Sequence, residues 1–497
     1  MESLLDGSLS LPTVILLIGA LVLALGFEFV NGFHDTANAV ATVIYTHTLR
    51  PTVAVIWSGC WNFLGVLTST GAVAFGIVAL LPVELIVNVG SGAGFAMVFA
   101  LLVSAIVWNL GTWYLGLPAS SSHTLIGSIM GVGLMNSWLS SERAFGEGIN
   151  WGKAQEVGMA LLLSPMVGFF CAALLLILAR ALIKNPALYA EPPKDKAPPL
   201  WIRGILMLTC TGVSFAHGSN DGQKGMGLLM LILIGIVPAT YALNLDTDAQ
   251  VLAQISGSAR TASTSFAQLA KDAPAPDAAG AEAALSQFLR TGKTEPATYA
   301  ALAVKDAAIA DKVTGVKAIA EVPADARRQL RTDIYLVSES ITKLSKQTDG
   351  LPAAEKKPLL ELRDKLKGIT SFIPTWVKVA VALALGLGTM IGWKRIVVTV
   401  GEKIGKAHLT YAQGASAELV AMATIGAADI FGLPVSTTHV LSSGVAGAMA
   451  ANHSGLQKET LRNLLLAWVL TLPVCIFLGA MLFAAGLVLV SKVFGIS

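Results

Sequence analysis

Runs of about 20 mostly apolar residues, long enough to cross a bilayer as a helix, recur near 11–30, 51–80, 94–115, 156–183, 200–217, 225–243, 372–393, 411–431 and 462–492. Two further apolar stretches, 116–136 and 432–451, open on Gly-Leu-Pro and a cluster of hydroxyl residues. Proline suits the first turn of a helix but interrupts an apolar run, so these two read as broken helices or re-entrant hairpins. From Asn244 to Ser371 the pattern changes to Ala, Lys, Asp and Glu with apolar positions at helical spacing, such as Leu330, Ile334, Leu336, Ser340, Ile341 and Leu344. That segment predicts a small helical domain or arm outside the bilayer. Such a stripe usually only packs helices together, so its plain reading is a solvated spacer without chemistry. The pattern predicts an all-α polytopic membrane protein with one soluble α-helical insertion.

Composition sharpens this picture. Of 497 residues 54% are apolar and 13% charged, with a mean hydropathy of +0.68, against about 45–50% and about 25% in soluble domains; a purely soluble enzyme is excluded. Residues 244–371 hold 17 of the 34 basic and 16 of the 31 acidic residues, leaving the rest as poor in charge as lipid-facing helices require. A net charge of +3 without an aromatic-interleaved basic stripe gives no reason to expect nucleic acid. Cys60, Cys171, Cys210 and Cys475 lie in apolar segments without CxxC spacing, so neither a zinc site nor a disulfide framework is expected. Glu2 and Asp6 precede the first apolar run, and the lack of a basic segment there predicts a retained helix rather than a cleaved signal peptide. Arg180, Lys184, Lys194, Lys196 and Arg203 flank one connection, and Lys394, Arg395, Lys403 and Lys406 another. Basic flanks mark the cytoplasmic side, which puts the insertion on the periplasmic side.

The chain repeats itself. Phe29-Val-Asn-Gly-Phe-His-Asp35 and Phe215-Ala-His-Gly-Ser-Asn-Asp221 share F-x-x-G-x-[HN]-D at an offset of 186. Gly116-Leu-Pro-Ala-Ser-Ser-Ser-His123 and Gly432-Leu-Pro-Val-Ser-Thr-Thr-His439 match at an offset of 316. The offsets differ by 130, nearly the length of the charged insertion, so one duplication with an interrupted second copy explains both. The first repeat is then 1–199, the second begins at 200–243, the insertion is 244–371, and the second repeat resumes over 372–497. Paired repeats are common in secondary transporters, where broken helices meet near the midplane, and an inverted topology is expected here.

That symmetry brings Asp35 and Asp221 together, each beside an apolar run, where a buried carboxylate needs a cation, a proton or a polar cavity. The alternative is that each caps a helix. Ser120, Ser121, Ser122 and Ser436, Thr437, Thr438 stand at helix starts, whose free N–H groups bind oxyanions; two such ends with six hydroxyls could surround a tetrahedral anion. Hydroxyls in membrane helices also bond their own backbone, which is the competing reading. His34 titrates in a range suited to carrying a proton, and Asn220 takes its place in the second copy. Lys224, three residues after Asp221 on the same helix face, could neutralise that acid or contact the anion. His123 and His439 are candidate supporting donors or ordinary satisfied histidines. Gln413, Glu418, Glu28 and Asp429 are weaker candidates in apolar surroundings. Neither a resident metal nor a cofactor is indicated.

With these residues in hand, the sequence resembles the inorganic phosphate transporter family, and most closely the bacterial low-affinity phosphate permeases. The signature G-A-N-D-x-A-N-A is matched by Gly32-Phe-His-Asp-Thr-Ala-Asn-Ala39, and in diverged form by Gly218-Ser-Asn-Asp-Gly-Gln-Lys-Gly225; Thr399-Val-Gly-Glu-Lys-Ile404 is also similar. The resemblance implies phosphate symport across the bacterial inner membrane by a multi-pass protein. It assigns the coupling ion to Asp35, Asp221, His34, Asn38 and Asn220, and phosphate to the hydroxyl clusters. His34 and the Gln223-Lys224 pair depart from the signature and favour protons over sodium as the coupling ion. Similar bacterial members carry phosphate as a neutral complex with a divalent metal, and both that option and a homo-oligomer stay open. Sulfate or divalent metal ions are the alternative cargo, and a channel is the rival to a carrier. A membrane enzyme is disfavoured, since no G-x-S-x-G, H-E-x-x-H or Walker motif is present.

Overall fold

The computed structural model describes residues 10–494 except 36, 79, 81–89, 142–143, 148, 194–195 and 349. Glu2, Asp6, Thr36, Lys194 and the side chain of Asn38 lie outside the described residues. Among those described the protein is helical, with no strand beyond two isolated bridges.

The first membrane portion comprises α1 (Leu11–Asp35), α2 (Ala37–Tyr45), α3 (Pro51–Thr68), α4 (Ala72–Val78), α5 (Gly92–Tyr114), α6 (Ser121–Trp138) and α7 (Trp151–Leu182). A long α8 (Leu200–Ile236) and a short α9 (Pro238–Tyr241) lead into the insertion: α10 (Ala249–Leu269), α11 (Ala278–Thr291), α12 (Pro296–Val313), α13 (Ala324–Lys346) and α14 (Ala353–Thr370). The chain returns through α15 (Thr375–Met390), α16 (Lys394–Val398), α17 (Tyr411–Ile430), α18 (Thr437–Ala451) and α19 (Lys458–Leu489). Six described segments are long and apolar enough to cross a membrane, and Leu162, Phe170, Leu174, Val469 and Phe477 on α7 and α19 face outward as lipid-exposed residues do.

The apolar runs 200–217 and 225–243 prove to be largely one helix, because the glycines between them serve packing rather than a break. A Cβ at Gly218 would collide with the backbone of Asn62, at Gly222 with Val66 and at Gly225 with Glu28. Small residues let membrane helices approach this closely. The run 51–80 does divide, at Gly71, whose φ of +87° suits glycine.

Both Gly-Leu-Pro segments end a helix in the same way. Gly116 and Gly432 take left-handed φ values of 67° and 65°, and the following Leu117 and Leu433 donate their N–H groups to Thr112 and Ala428, closing a Schellman-type cap. The chain then turns into α6 and α18, where Ser120 and Ser436 accept the N–H groups of His123 and His439. Two helical hairpins result, α5–α6 and α17–α18. Glu147, beyond α6, meets Arg290 of the insertion, whereas Asn452, just after α18, accepts from Arg180 near the end of α7. Residues 147 and 180 lie toward opposite ends of α7. Across the two membrane portions α6 packs on α19 and α18 on α7, while α1 packs on α15 and α8 on α3.

The insertion has its own core, with Leu252, Phe266, Leu285, Phe288, Ile309, Ile334, Ile341 and Leu366 among its buried side chains. Its Asp333 accepts from Lys305 and Lys312, each at 2.8 Å. Asp306 is wholly buried and neither carboxyl oxygen has a hydrogen-bond partner, and burial raises its pKa well above the carboxylate range. The folded state therefore binds this proton more tightly than the unfolded chain, so stability is greatest at acid pH and falls as pH rises through the unfolded value of about 4. Asp306→Asn should flatten that fall and raise stability at neutral pH relative to the wild type. Thermal unfolding of the full chain between pH 4 and 8 checks it.

Candidate functional site

The two hairpin tips meet at Asp35, the last residue of α1. Ser121, the first residue of α6, donates its hydroxyl to Asp35 Oδ2 at 2.9 Å, and Thr438, second in α18, donates to Oδ1. Ser122 crosses to the other tip, donating to the Val435 carbonyl at 2.8 Å. Asp35 thus joins the two hairpins.

Asp221, midway along α8, faces the same point. Its Oδ2 lies 2.7 Å from Lys224 Nζ, 3.5 Å from His217 Nε2 and 3.5 Å from Ser121 Oγ, while Oδ1 has no hydrogen-bond partner. His217 Nε2 is also 3.9 Å from Asp35 Oδ2, and its Nδ1 is fixed by Asn62 Oδ1 at 2.8 Å. Asp35, His217 and Asp221 offer ligand atoms all within 4.8 Å of one another. All are buried, as is Lys224. Two carboxylates, an imidazole and an ammonium in a water-poor site lower one another's desolvation cost, and such a cluster can share or hand on a proton.

His34 turns to Asp35 Oδ1 at 3.4 Å through Nδ1 and to Thr112 at 3.1 Å through Nε2. Asn220 donates to the Leu433 carbonyl at 3.1 Å, leaving its Oδ1 without a partner. Ser120 and Ser436 are committed to their own helix starts, as the competing reading of the hydroxyl clusters expects, whereas Ser121 and Thr438 turn to Asp35. Thr437 Oγ1 is buried and without a partner. His123 and His439 come together with ring centres 4.7 Å apart, His439 lies 4.2 Å from Trp468, and His123 Nδ1 and His439 Nε2 lack partners.

Of the weaker candidates, Glu28 adjoins the cluster, within electrostatic reach of Lys224, Asp221 and His217 and with its Oε1 unpartnered, and the others have partners of their own. Gln413 closes a capping box with Thr410 and donates to Ser454. Glu418 accepts from Thr42 and Thr209, and Asp429 accepts from Ser219 and Gln223. Glu28, wholly buried, is within reach of Asn31 and packs against Gly225. His217 and Asn62 are the members that the sequence reading did not assign. His217 could have been found: it stands four residues before Asp221 and occupies the place of Asn31 in the first copy.

These features define a polytopic helical membrane protein with a buried, charged site between two hydroxyl-bearing helix starts. The chain matches the profile of the phosphate transporter family, PHO4, over residues 31–479, and it belongs to that family. It is 42% identical over 490 residues to the low-affinity inorganic phosphate transporter PitA of Escherichia coli K12, covering 96% of this chain and 97% of that protein. To PitB of the same strain it is 40% identical over 505 residues, covering 97% and 99%. A probable low-affinity inorganic phosphate transporter of Bacillus subtilis 168 is 28% identical, covering 94% and 96%. These relatives are named as transporters, not enzymes. A solved structure described as the sodium-dependent phosphate transporter shares the fold, with a TM-score of 0.50 and 19% identity over 95% of this chain and 98% of that one.

Proposed function

We propose that this protein imports inorganic phosphate across the bacterial cytoplasmic membrane by proton-coupled symport, with phosphate held between the tips of α6 and α18 and the proton carried by the Asp35–His217–Asp221 cluster. The observation that carries the reading is the joining of both tips through one carboxylate, Asp35. A proton arriving at that cluster alters the bonds that hold the tips, so cargo binding and proton binding are linked through the same atoms. The N–H groups of two helix starts and the hydroxyls of Ser121, Thr437 and Thr438 supply donors suited to an oxyanion. The exchanged pairing of α6 with α19 and α18 with α7 supports two inverted repeats, 1–199 and 200–497, the latter interrupted by 244–371, and a carrier that alternates about this point.

Sodium coupling, named for the structural neighbour, is the alternative. Lys224 disfavours it, because an ammonium 2.7 Å from Asp221 already places a positive charge where a sodium ion would need the carboxylate. Phosphate carried as a neutral complex with a divalent metal is compatible with the same donors, the metal then being cargo. Radiolabelled phosphate uptake into liposomes, with pH, sodium and magnesium varied independently, separates these readings: dependence on the pH gradient supports the proposal and strict sodium dependence overturns it.

The hydroxyls give a second test. Each lost donor to a charged oxygen in a dry site costs about 1–3 kcal/mol, so Ser121→Ala or Thr437→Ala should weaken phosphate binding about tenfold. Combined, their effects should not add, since both act on one ligand. Unchanged affinity in phosphate titrations of the single and double variants would leave the hydroxyls with purely structural roles.

A further inference from the structure

The insertion meets the membrane helices along one face of α13. Arg328, Arg331, Thr332 and Tyr335 lie on one side of that helix by their spacing, and they line a cleft whose other wall is Ile234, Gly235 and Pro238 at the end of α8. Arg331 Nε is buried and has no hydrogen-bond acceptor, and burial lowers its guanidinium to about 10. Among the described residues neither Arg328 nor Arg331 belongs to an ion pair, although Arg260, Lys305, Lys312, Arg363 and Lys367 of the same domain all do. Arg331 is half-buried and Arg328 exposed, but a buried N–H without an acceptor is unfavourable, so the unfilled Nε donor of Arg331 calls for an anion. Two planar forks at one cleft match an anion with several oxygens. The location narrows the source. Tyr241, at the end of α9, and Trp376, at the start of α15, have ring centres 6.1 Å apart, and aromatic rings at helix ends are typical of the lipid–water boundary.

We propose that the cleft between α13 and the end of α8 binds a phosphate group through Arg328 and Arg331, carried either on an anionic phospholipid or as free inorganic phosphate. The site shares no residue with the buried Asp35 cluster, so its failure leaves the transport reading untouched. A phosphate bound here would hold the insertion against the membrane bundle.

The test uses delipidated full-length protein, the variant Arg328→Gln/Arg331→Gln, and Lys356→Gln/Lys357→Gln, which removes two exposed charges from elsewhere in the same domain. Each is titrated with phosphatidylglycerol, with phosphatidylcholine and with inorganic phosphate. The lipid source predicts that phosphatidylglycerol binds at least about tenfold more weakly to the arginine variant, with the lysine variant unchanged and phosphatidylcholine indifferent. The free-anion source predicts one fewer inorganic phosphate bound per chain in the arginine variant alone. Wild-type behaviour of the arginine variant with both ligands, or equal losses in the two double variants, overturns the proposal. Should the arginine variant not fold, the same comparison is made with Arg331→Lys, which keeps the charge and loses the fork.

Discussion

Asp35→Asn is expected to reduce phosphate accumulation by on the order of 100-fold or more while leaving the protein folded. Asp35 accepts one hydroxyl from each hairpin tip, and hydrogen bonds to a charged group are worth about 1.5–3 kcal/mol each. Losing the charge weakens both, and each 1.4 kcal/mol is about one decade. The amide keeps the volume of the side chain, so the tips stay packed, but it cannot take up a proton. Uptake by purified protein in liposomes, with thermal unfolding of the same sample as the control for folding, checks the prediction. Wild-type uptake by Asp35→Asn would remove this residue from the transport cycle. Asp221→Asn should also lose coupled uptake, and an effect of only one of the two would mean that the repeats have diverged in role.

Lys224→Met carries the largest expected effect on stability. The ammonium is wholly buried and 2.7 Å from Asp221, so its removal leaves a buried carboxylate with only the longer contacts to His217 and Ser121, each at 3.5 Å. Breaking one partner of a buried pair costs about 3–5 kcal/mol. Asp221→Asn/Lys224→Met, which removes both charges, should regain most of the lost thermal stability but not transport. Detergent-solubilised wild type and both variants would show this in parallel melts. A wild-type melting temperature for Lys224→Met would mean that the pair does not stabilise the fold.

The hydroxyl clusters and both aspartates were legible because each is short, duplicated and set in an apolar run, where a polar residue has few structural reasons to be. The break between 217 and 225 was misread because Gly218, Gly222 and Gly225 look like helix breakers in one dimension, whereas in three they admit Asn62, Val66 and Glu28. His217 was less legible because the repeat places Asn31 rather than a second histidine opposite it, and only its position four residues before Asp221 on one helix face marks it. Gln413, Glu418 and Asp429 looked like site acids or amides, yet each is satisfied by a local cap or hydroxyls on neighbouring helices. Sequence shows that a buried polar group must have a partner; it does not show which one. Pairing across 403 residues, as between Asp35 and Thr438, depends on the relation of the two hairpins rather than on any local signal.

The most direct test of proton coupling is made without an imposed gradient. Wild-type protein is reconstituted into liposomes with a pH indicator in the lumen, in sodium-free medium, and phosphate is added outside under conditions where the lipid itself is impermeable to protons. The account predicts immediate luminal acidification in step with radiolabelled phosphate entry, and neither signal with Asp35→Asn. Phosphate entry without luminal acidification, or no entry until sodium is supplied, would contradict it.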